Sequence, residues 1–198
     1  RPGKAMGGVQ TNLAVQFVRL GHRVALVDTD PQGSLGRWFM ARRDRGLEDM
    51  AFSTASAWGV GYEAEKLRKA ADIILIDTPP KIDSDLRPAL READLILVPV
   101  GASHVDLWAT DGVLDLAARV GKPAMIVLNR ATQGTRLAEE VALAAAALTA
   151  DIATSRLGQR VAFAETLGQG LGVAEAGASP ARREIAALAD ELVARLSA

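Results

Sequence analysis

Four short apolar runs, none interrupted by a polar residue, constrain the fold of this chain most strongly. They cover residues 24–27, 73–76, 95–98 and 124–128. Continuous apolar runs of this length are typical of strands that are buried on both faces, as in a parallel sheet. Helical patterns separate the runs. The sequence therefore predicts an α/β fold, with a doubly wound, mostly parallel sheet flanked by helices.

The composition suits one compact domain. The chain has 198 residues and 49% hydrophobic content, which predicts a single domain over residues 1–198. It contains no cysteine, which excludes disulfides, thiolate metal sites and iron–sulfur clusters. No signal peptide stands out, and every apolar run is shorter than the roughly 18 residues of a membrane span. We therefore expect a soluble, cytoplasmic protein without stable membrane binding.

The net charge neither supports nor excludes binding to nucleic acid. The chain has 23 lysine and arginine residues and 24 aspartate and glutamate residues, so its net charge is −1. DNA binding would therefore need a local basic patch. Seven arginines in the second half are the candidates: Arg130, Arg136, Arg156, Arg160, Arg182, Arg183 and Arg195. Scattered, solvated arginines are the alternative interpretation, and the sequence does not decide between the two.

Polar residues that could bind a ligand or take part in catalysis follow three of the four apolar runs. The segments are Asp-Thr-Asp-Pro-Gln at 28–32, Asp-Thr-Pro-Pro at 77–80 and Asn-Arg at 129–130. Ligands of open α/β sheets bind at the carboxyl ends of the strands. These segments are therefore the candidate functional residues.

The first segment resembles switch I of the ParA/MinD family of P-loop ATPases. It reads Val-Ala-Leu-Val-Asp-Thr-Asp-Pro-Gln-Gly-Ser over residues 24–34. The resemblance implies that Asp30 is a catalytic acid that faces the γ-phosphate and positions the attacking water, since phosphoryl transfer depends mainly on placement and charge stabilisation. The alternative is that Asp28 and Asp30 only cap the helix that follows.

The second segment resembles the Walker B and switch II region of the same family. Four apolar residues place the carboxylate of Asp77 at a strand end. Mg²⁺ is commonly held through few carboxylates together with phosphate oxygens and water. The resemblance implies a metal site of Asp77, Asp30 and Thr11. The alternative is a strand-end Asp that bonds to the proline-rich turn.

The third segment, Asn129-Arg130, is similar to the family's strand-end pair near the adenine. An Asn amide both donates and accepts, as recognition of a purine edge requires. Weaker matches cover residues 93–100, 157–165 and 170–173. The resemblance thus extends from about Asn12 to the end of the sequence.

The phosphate-binding loop departs from the family pattern. The deviant Walker A motif, K-G-G-x-G-K-[ST], should precede the helix that begins near Asn12, but its central G-K-[ST] is absent. Backbone N–H groups of this loop cradle phosphates, and its lysine reaches the β- and γ-phosphates. The candidate residues are Lys4 as the catalytic lysine, Gly7, Gly8 and Val9 in the loop, and Thr11 as the Mg²⁺-binding hydroxyl.

The strand that should precede this loop has no apolar run to form it. Either residues are missing from the start of the sequence, or the protein is a degenerate ATPase, and intact switch segments favour the first interpretation. Missing residues would produce a chain break between Pro2 and Asn12. They would also leave the apolar neighbours of the missing central strand uncovered.

The resemblance implies an ATP- and Mg²⁺-dependent positioning ATPase. It implies a dimer formed around ATP, non-specific DNA binding by that dimer on the nucleoid, and a partner adaptor that stimulates hydrolysis to ADP. The cargo is not specified. The alternative function is a nucleotide-inert scaffold or adaptor that keeps the fold.

Three further features are predicted to be structural. The amphipathic C-terminal helix, residues 185–196, lacks the basic bias of a lipid-binding helix and is expected to pack on the sheet. The glycine-rich segment 168–177 is expected to be the loosest region. Four aromatic residues either form a partner-facing patch or pack internally, and packing is expected: Trp38, Phe39, Trp58 and Tyr62.

Overall fold

The computed structural model describes residues 7–79, 86–101, 103–131, 136–148 and 150–197. The helices are α1 (Gly7–Arg19), α2 (Ser34–Asp44), α3 (Val60–Arg68), α4 (Leu86–Glu92), α5 (His104–Trp108), α6 (Asp111–Arg119), α7 (Arg136–Ala146), α8 (Val161–Gly168) and α9 (Pro180–Leu196). The strands are β1 (Val24–Asp28), β2 (Met50–Thr54), β3 (Ile73–Asp77), β4 (Ile96–Gly101), β5 (Ala124–Asn129) and β6 (Asp151–Ile152).

The strands form two three-stranded sheets in which every pairing is parallel. Their orders are β2-β1-β3 and β4-β5-β6. The predicted fold class is confirmed, because helices alternate with parallel strands along the chain. The four apolar runs correspond to β1, β3, β4 and β5. The two outer strands were not predicted, because β2 mixes apolar and polar residues and is partly exposed, and β6 has only two residues.

One hydrophobic core connects the two sheets. It contains Leu26 of β1 and Val127 of β5, together with Phe17 of α1 and Leu188 of α9. The apolar face of α9 is buried, and this helix packs against α1. The C-terminal helix was predicted to pack on the sheet; it shares the core with β1 and β5, and its main helix contact is α1.

A gap separates β3 from β4. The residues of β1 are all buried, whereas those of the equally apolar β3 are all partly exposed. No strand of the described residues lies between β3 and β4. The β3 strand is therefore incompletely covered, which is the arrangement expected if a central strand belongs between β3 and β4. The predicted chain break between Pro2 and Asn12 is absent over residues 7–12, which belong to the continuous helix α1, and residues 1–6 lie outside the described part of the chain.

The glycine-rich segment after α8 is tightly packed, so the prediction that it is the loosest region was wrong. Val173 and Ala174 are buried. A Cβ added to Gly170, which has a φ of +71°, would lie 2.4 Å from the backbone nitrogen of Arg42, and one added to Gly172 would lie 2.9 Å from the Cβ of Val15. Glycine is therefore needed here for close approach to α1 and α2.

The four aromatic residues divide into two pairs. Trp38 and Phe39 of α2 are buried, which confirms the packing expected for them. The Trp38 indole N–H donates to the carbonyl oxygen of Leu171 at 3.1 Å. Trp58 and Tyr62, by contrast, are 86% and 72% exposed, so the expectation of packing was wrong for this pair.

Candidate functional site

The acidic segments after β1 and β3 lie side by side. In the parallel pairing of these strands, Asp28 is the direct partner of Asp77. Thr29 holds the two strand ends together, because its backbone N–H and its hydroxyl both donate to the carbonyl oxygen of Asp77. The first two predicted segments therefore form one acidic site, which includes Asp30.

Asp28 has a structural role within this site. It is only 3% exposed, and both carboxylate oxygens accept backbone hydrogen bonds. Oδ1 accepts from the N–H of Asp30 at 3.0 Å, and Oδ2 accepts from the N–H of Gly36 in the first turn of α2 at 3.0 Å. The capping alternative therefore describes Asp28 well, because this residue satisfies an open amide at the start of a helix.

Asp30 is more accessible than Asp28. It is half-buried, and its Oδ1 accepts from the N–H of Gln32 at 2.9 Å. Its Oδ2 accepts no hydrogen bond from the residues that the structure describes. This oxygen is therefore available to orient a water molecule or to contact a cation.

Asp77 lies in an environment that opposes its negative charge. Burial, followed by the charges of Asp28 and Asp30, raises the pKa of Asp77 to about 7, although a hydrogen bond from the backbone N–H of Thr78 acts in the opposite direction. Three carboxylates at one strand edge without a nearby cation repel one another. A bound divalent cation would relieve this repulsion.

Gln10 of α1 faces Asp77 and was not identified from the sequence. In the amide orientation that satisfies both groups, its nitrogen donates to Asp77 Oδ1 at 2.7 Å, and its oxygen accepts from the backbone N–H of Asp77 at 3.1 Å. The residue occupies the first turns of α1, where the family motif would place its glycine and lysine. This position within the motif is the sequence feature that could have identified Gln10 as a functional residue.

The predicted phosphate loop is not a loop in the described residues. Gly7, Gly8, Val9 and Thr11 lie within α1, which begins at Gly7. Val9 contributes its side chain to the core, and Thr11 is 1% exposed with its hydroxyl directed at the carbonyl oxygen of Gly8. The expectation of a loop is corrected here, because a continuous helix replaces it. Lys4 lies outside the described residues.

Asn129 and Arg130 follow β5, in the second sheet. Asn129 is 7% exposed, and its Oδ1 accepts from the N–H of Arg130 at 2.9 Å. Arg130 is exposed and has a φ of 54°. Asn129 pairs with Gly101 at the carboxyl end of β4. These two residues thus lie at the carboxyl end of β5, and the gap between β3 and β4 separates them from the acidic site.

The described residues do not form a complete metal site by themselves. In the chain as described, no group of three or more His, Asp or Glu side chains is arranged to coordinate a metal ion alone. A cation near Asp77 would need ligands from water and from a bound phosphate, as is usual for Mg²⁺.

Four of the seven candidate DNA-binding arginines form ion pairs. The pairs are Arg136–Glu140, Arg156–Glu139, Arg160–Glu184 and Arg195–Asp151. Ion pairs among the described residues do not include Arg182 and Arg183, which lie in the first turn of α9. These two arginines are therefore better placed than the four paired ones to contact a phosphate backbone.

The chain is similar to known proteins at the level of sequence. The family model of the ATPase MipZ matches residues 54–132. Maintenance of carboxysome distribution protein A of Halothiobacillus neapolitanus is 27% identical over 180 residues, which cover 86% of this chain and 81% of that protein. The chromosome-partitioning ATPase Soj of Thermus thermophilus is 31% identical over 134 residues, 54% of this chain and 53% of that protein.

The fold is also shared with solved structures. MinD of Pyrococcus horikoshii, in complex with Mg-ADP, superimposes with a TM-score of 0.74 at 16% identity, over 100% of this chain and 95% of that chain. The predicted resemblance to ParA-type P-loop ATPases is thus confirmed in sequence and in structure. Within the described residues, none of the helices has the length and apolar character needed to cross a bilayer.

Proposed function

We propose that this chain, which is similar in sequence and structure to ParA-type P-loop ATPases, is a nucleotide-switched positioning ATPase. The observation that carries this proposal is the acidic site formed by Asp28, Asp30 and Asp77 at the ends of two adjacent strands. Three neighbouring carboxylates provide the negative charge that would bind the Mg²⁺ ion of a nucleotide complex.

The three carboxylates would have different roles. Asp77 would hold Mg²⁺, directly or through water, and Asp28 would position Asp30 through its hydrogen bond to the Asp30 N–H. Asp30 would orient the attacking water with its accessible oxygen. Mg²⁺ supplies charge neutralisation to the β- and γ-phosphates when it is bound. The donor set fits this ion, because carboxylate oxygens are its preferred protein ligands.

The remaining contacts with ATP and ADP are proposed for α1 and β5. Backbone amides of Gly7, Gly8 and Val9 would contact phosphate at the start of α1, with Lys4 as a further candidate. Asn129 and Arg130 would contact the base from the second sheet. Thr11 is a weaker candidate, because its hydroxyl is buried inside α1.

The dimer, the DNA binding and the adaptor protein are proposed from the similarity to the relatives named above. Relatives are described as carboxysome-distribution and chromosome-partitioning proteins, which are both positioning functions. We infer an ATP-dependent homodimer that binds non-specific DNA and is reset by an adaptor protein that stimulates hydrolysis. The protein would then act in the cytoplasm, associated with the nucleoid.

A nucleotide-inert scaffold is the second candidate function. The observation that favours it is the helical conformation of residues 7–11, where a phosphate loop is expected. Such a protein would keep the fold and bind partners without hydrolysing ATP.

Thermal unfolding with nucleotide separates the two candidates. Mg-ADP at 100 times its Kd should add about 2.7 kcal/mol to the free energy of unfolding of an ATPase. Asp77→Asn should reduce the Mg²⁺-dependent part of this stabilisation. Asp72→Asn is the matched control, since Asp72 precedes the same strand at its opposite end and pairs with Arg23. Absence of any shift at millimolar Mg-ADP or Mg-ATP would favour the scaffold.

A further inference from the structure

A four-residue turn carries Asp30 between β1 and α2. The N–H of Gly33 donates to the carbonyl oxygen of Asp30 at 2.9 Å, which closes a β-turn over residues 30–33. Pro31 occupies the second position of this turn, where its fixed φ is favoured. Gly33 has a φ of 62°, a conformation that favours glycine. Pro31 and Gly33 therefore set the local backbone of the turn.

The carboxylate of Asp30 takes part in the same turn. Its Oδ1 accepts from the N–H of Gln32 at 2.9 Å, so the side chain folds back onto the backbone two residues further on. Oδ2 is the oxygen that remains available to orient a water molecule. The orientation of Oδ2 therefore depends on the position of the Gln32 backbone.

Arg37 of α2 holds the turn from outside. Its Nη1 donates to the carbonyl oxygen of Gln32 at 2.9 Å, and its Nη2 donates to the hydroxyl oxygen of Ser34 at 3.3 Å. A guanidinium group is planar and rigid, so two bonds from one group fix it relative to both acceptors. Ion pairs among the described residues do not include Arg37, so no carboxylate there competes for its donors.

One peptide group connects Arg37 to Asp30. The carbonyl oxygen of Gln32 and the N–H of Gly33 belong to the same peptide group, which is planar. Arg37 binds the oxygen of this group, and the N–H of the group donates to the carbonyl oxygen of Asp30. Because the group rotates as a unit, a rotation that breaks one of these bonds also disturbs the other. Arg37 therefore acts on the turn that carries Asp30.

Asp28 does not replace this contact. Its carboxylate accepts from the N–H of Asp30, at the start of the turn, and from the N–H of Gly36, beyond its end. The tip of the turn, residues 31–32, is exposed, so side-chain packing contributes little to holding it. Of the hydrogen bonds that the described residues form, the one from Arg37 reaches this tip from outside the turn.

We propose that Arg37 is a positioning residue for Asp30, which it holds through the peptide group between Gln32 and Gly33. The contact would keep Asp30 Oδ2 in the orientation that the attacking water requires. Arg37 itself would contact neither the nucleotide nor the water. This inference rests on the proposed function, because it gives Arg37 a part in the hydrolysis step assigned to Asp30.

Amide exchange measured by NMR in the nucleotide-free protein tests the contact without any enzymatic activity. In Arg37→Met, exchange at the Gln32 and Gly33 amides should accelerate by about fivefold, the factor that corresponds to one lost hydrogen bond. Both amides donate to oxygens of Asp30, so both report on the turn that carries this residue.

Two controls accompany the exchange measurement. The Gly36 amide should change by less than about twofold in Arg37→Met, because Asp28 holds it independently. Arg43→Met is the matched variant, since Arg43 is an exposed arginine of the same helix and no hydrogen bond or ion pair of the described residues involves its side chain. This variant should leave exchange in the turn unchanged.

Steady-state hydrolysis of Mg-ATP tests the catalytic consequence. Arg37→Met should lower kcat by about fivefold and change KM by less than about twofold, because the proposed role is exerted on the hydrolysis step and not on binding. Arg37→Lys should recover part of this loss, since an ammonium can donate to the Gln32 carbonyl oxygen but lacks the planar fork. In an Asp30→Ala background, Arg37→Met should lower kcat by less than about 1.5-fold, because no carboxylate remains to be positioned.

The outcomes separate this inference from the proposed function. Unchanged exchange at Gln32 and Gly33 in Arg37→Met would overturn the inference alone, whatever the activity of the parent. An equal fall in kcat with and without Asp30 would also overturn it, as would a raised KM at unchanged kcat, which would place Arg37 at the nucleotide. A parent that hydrolyses no ATP would overturn the proposed function and, with it, the part of Arg37 in hydrolysis, even where exchange behaves as expected.

Discussion

Thr29 donates two hydrogen bonds to a single acceptor, the carbonyl oxygen of Asp77, from its backbone N–H at 3.0 Å and from its hydroxyl at 2.6 Å. These bonds fix the end of β3 beside the end of β1. Asp28 and Asp77 are consequently held opposite each other by the backbone. The strand pairing thus keeps the two residues side by side, and their mutual repulsion is relieved by protonation of Asp77 or by a cation.

Thr29→Val should destabilise the domain by about 1 kcal/mol, the usual net contribution of one hydrogen bond. Valine keeps the shape and the backbone N–H but lacks the hydroxyl. Urea unfolding of the two proteins measures the difference. Thr29→Ser restores a hydroxyl and should recover most of the loss. A valine variant as stable as the parent would show that the hydroxyl bond contributes nothing.

The pKa of Asp77 predicts an unusual pH dependence in Mg²⁺-free buffer. Because this pKa is raised from 3.8 to about 7 by burial and by Asp28 and Asp30, the folded state binds more protons than the unfolded state between these values. The contribution of Asp77 to stability is therefore present below pH 4 and is lost as the pH rises toward 7. Asp77→Asn should remove this decline.

At pH 8 the Asp77→Asn variant should be more stable than the parent by on the order of 4 kcal/mol, since the pKa is raised from 3.8 to about 7 and each unit of pKa shift corresponds to about 1.4 kcal/mol. Chemical unfolding across pH 5 to 8 measures the effect. Millimolar Mg²⁺ should stabilise the parent more than the variant. A parent whose stability rises steadily through this range would contradict the raised pKa.

Asp30→Ala should leave nucleotide binding largely intact while it slows hydrolysis, because the proposed role of Asp30 is exerted on water and not on the ground-state phosphates. Binding is measured by calorimetry and turnover by phosphate release. Asp72→Asn again serves as the control for a lost carboxylate. Unchanged turnover in Asp30→Ala would remove this residue from the mechanism.

The strand ends could be predicted from the sequence, but the start of the chain could not. Asp28, Asp30 and Asp77 follow uninterrupted apolar runs, and the short length of these runs together with the helical patterns between them favours parallel strands over helix segments. Strands β2 and β6 were missed because an edge strand needs few apolar residues. Residues 7–11 match a family motif only in part. Their helical conformation runs against the low helix propensity of Gly, Val and Thr, and it accompanies the burial of Val9 and Leu13 in the core.

Contacts distant in sequence explain the other errors. The segment 168–177 has the composition of a mobile loop, but Asn12 accepts from the N–H of Val173 at 2.6 Å and Trp38 donates to Leu171. Neither partner could be inferred from the glycines themselves. Gln10 is a similar case, because its importance comes from the strand end that it faces.

DNA binding, if it follows the proposal, should depend on Arg182 and Arg183. A protein that neutralises phosphates loses affinity with salt, with a slope of about −0.9 for each neutralised phosphate. Replacing both arginines with alanine should reduce the slope by about 2 in the presence of ATP. The matched control replaces Arg136 and Arg156, which are paired with glutamates on α7. An equal loss in both double variants would indicate a diffuse charge effect.

Arg42 is a buried charged residue whose loss should strongly destabilise the domain. It is 1% exposed, and its guanidinium forms ion pairs with Asp49 at 2.5 Å and with Glu175 at 2.7 Å. It also donates to the carbonyl oxygen of Gly170 at 3.2 Å and lies 5.6 Å from the centre of the Trp38 ring. Burial opposes its charge, but the bonds to Asp49 and Glu175 outweigh burial and raise the pKa of Arg42.

Arg42→Met should therefore cost about 3 kcal/mol or more in the free energy of unfolding, because it leaves Asp49 and Glu175 without the cation that balances them. Arg42→Lys should recover only part of this loss, since an ammonium cannot form both paired contacts at once. Arg43→Met, at an exposed position in the same helix, should change stability by less than about 0.5 kcal/mol. Since Arg42 fastens α2 to the segment after α8, hydrogen exchange at Gly172 and Val173 should accelerate in Arg42→Met. Acceleration confined to α2 would mean that this segment is held mainly by Asn12, whose side chain accepts the Val173 N–H.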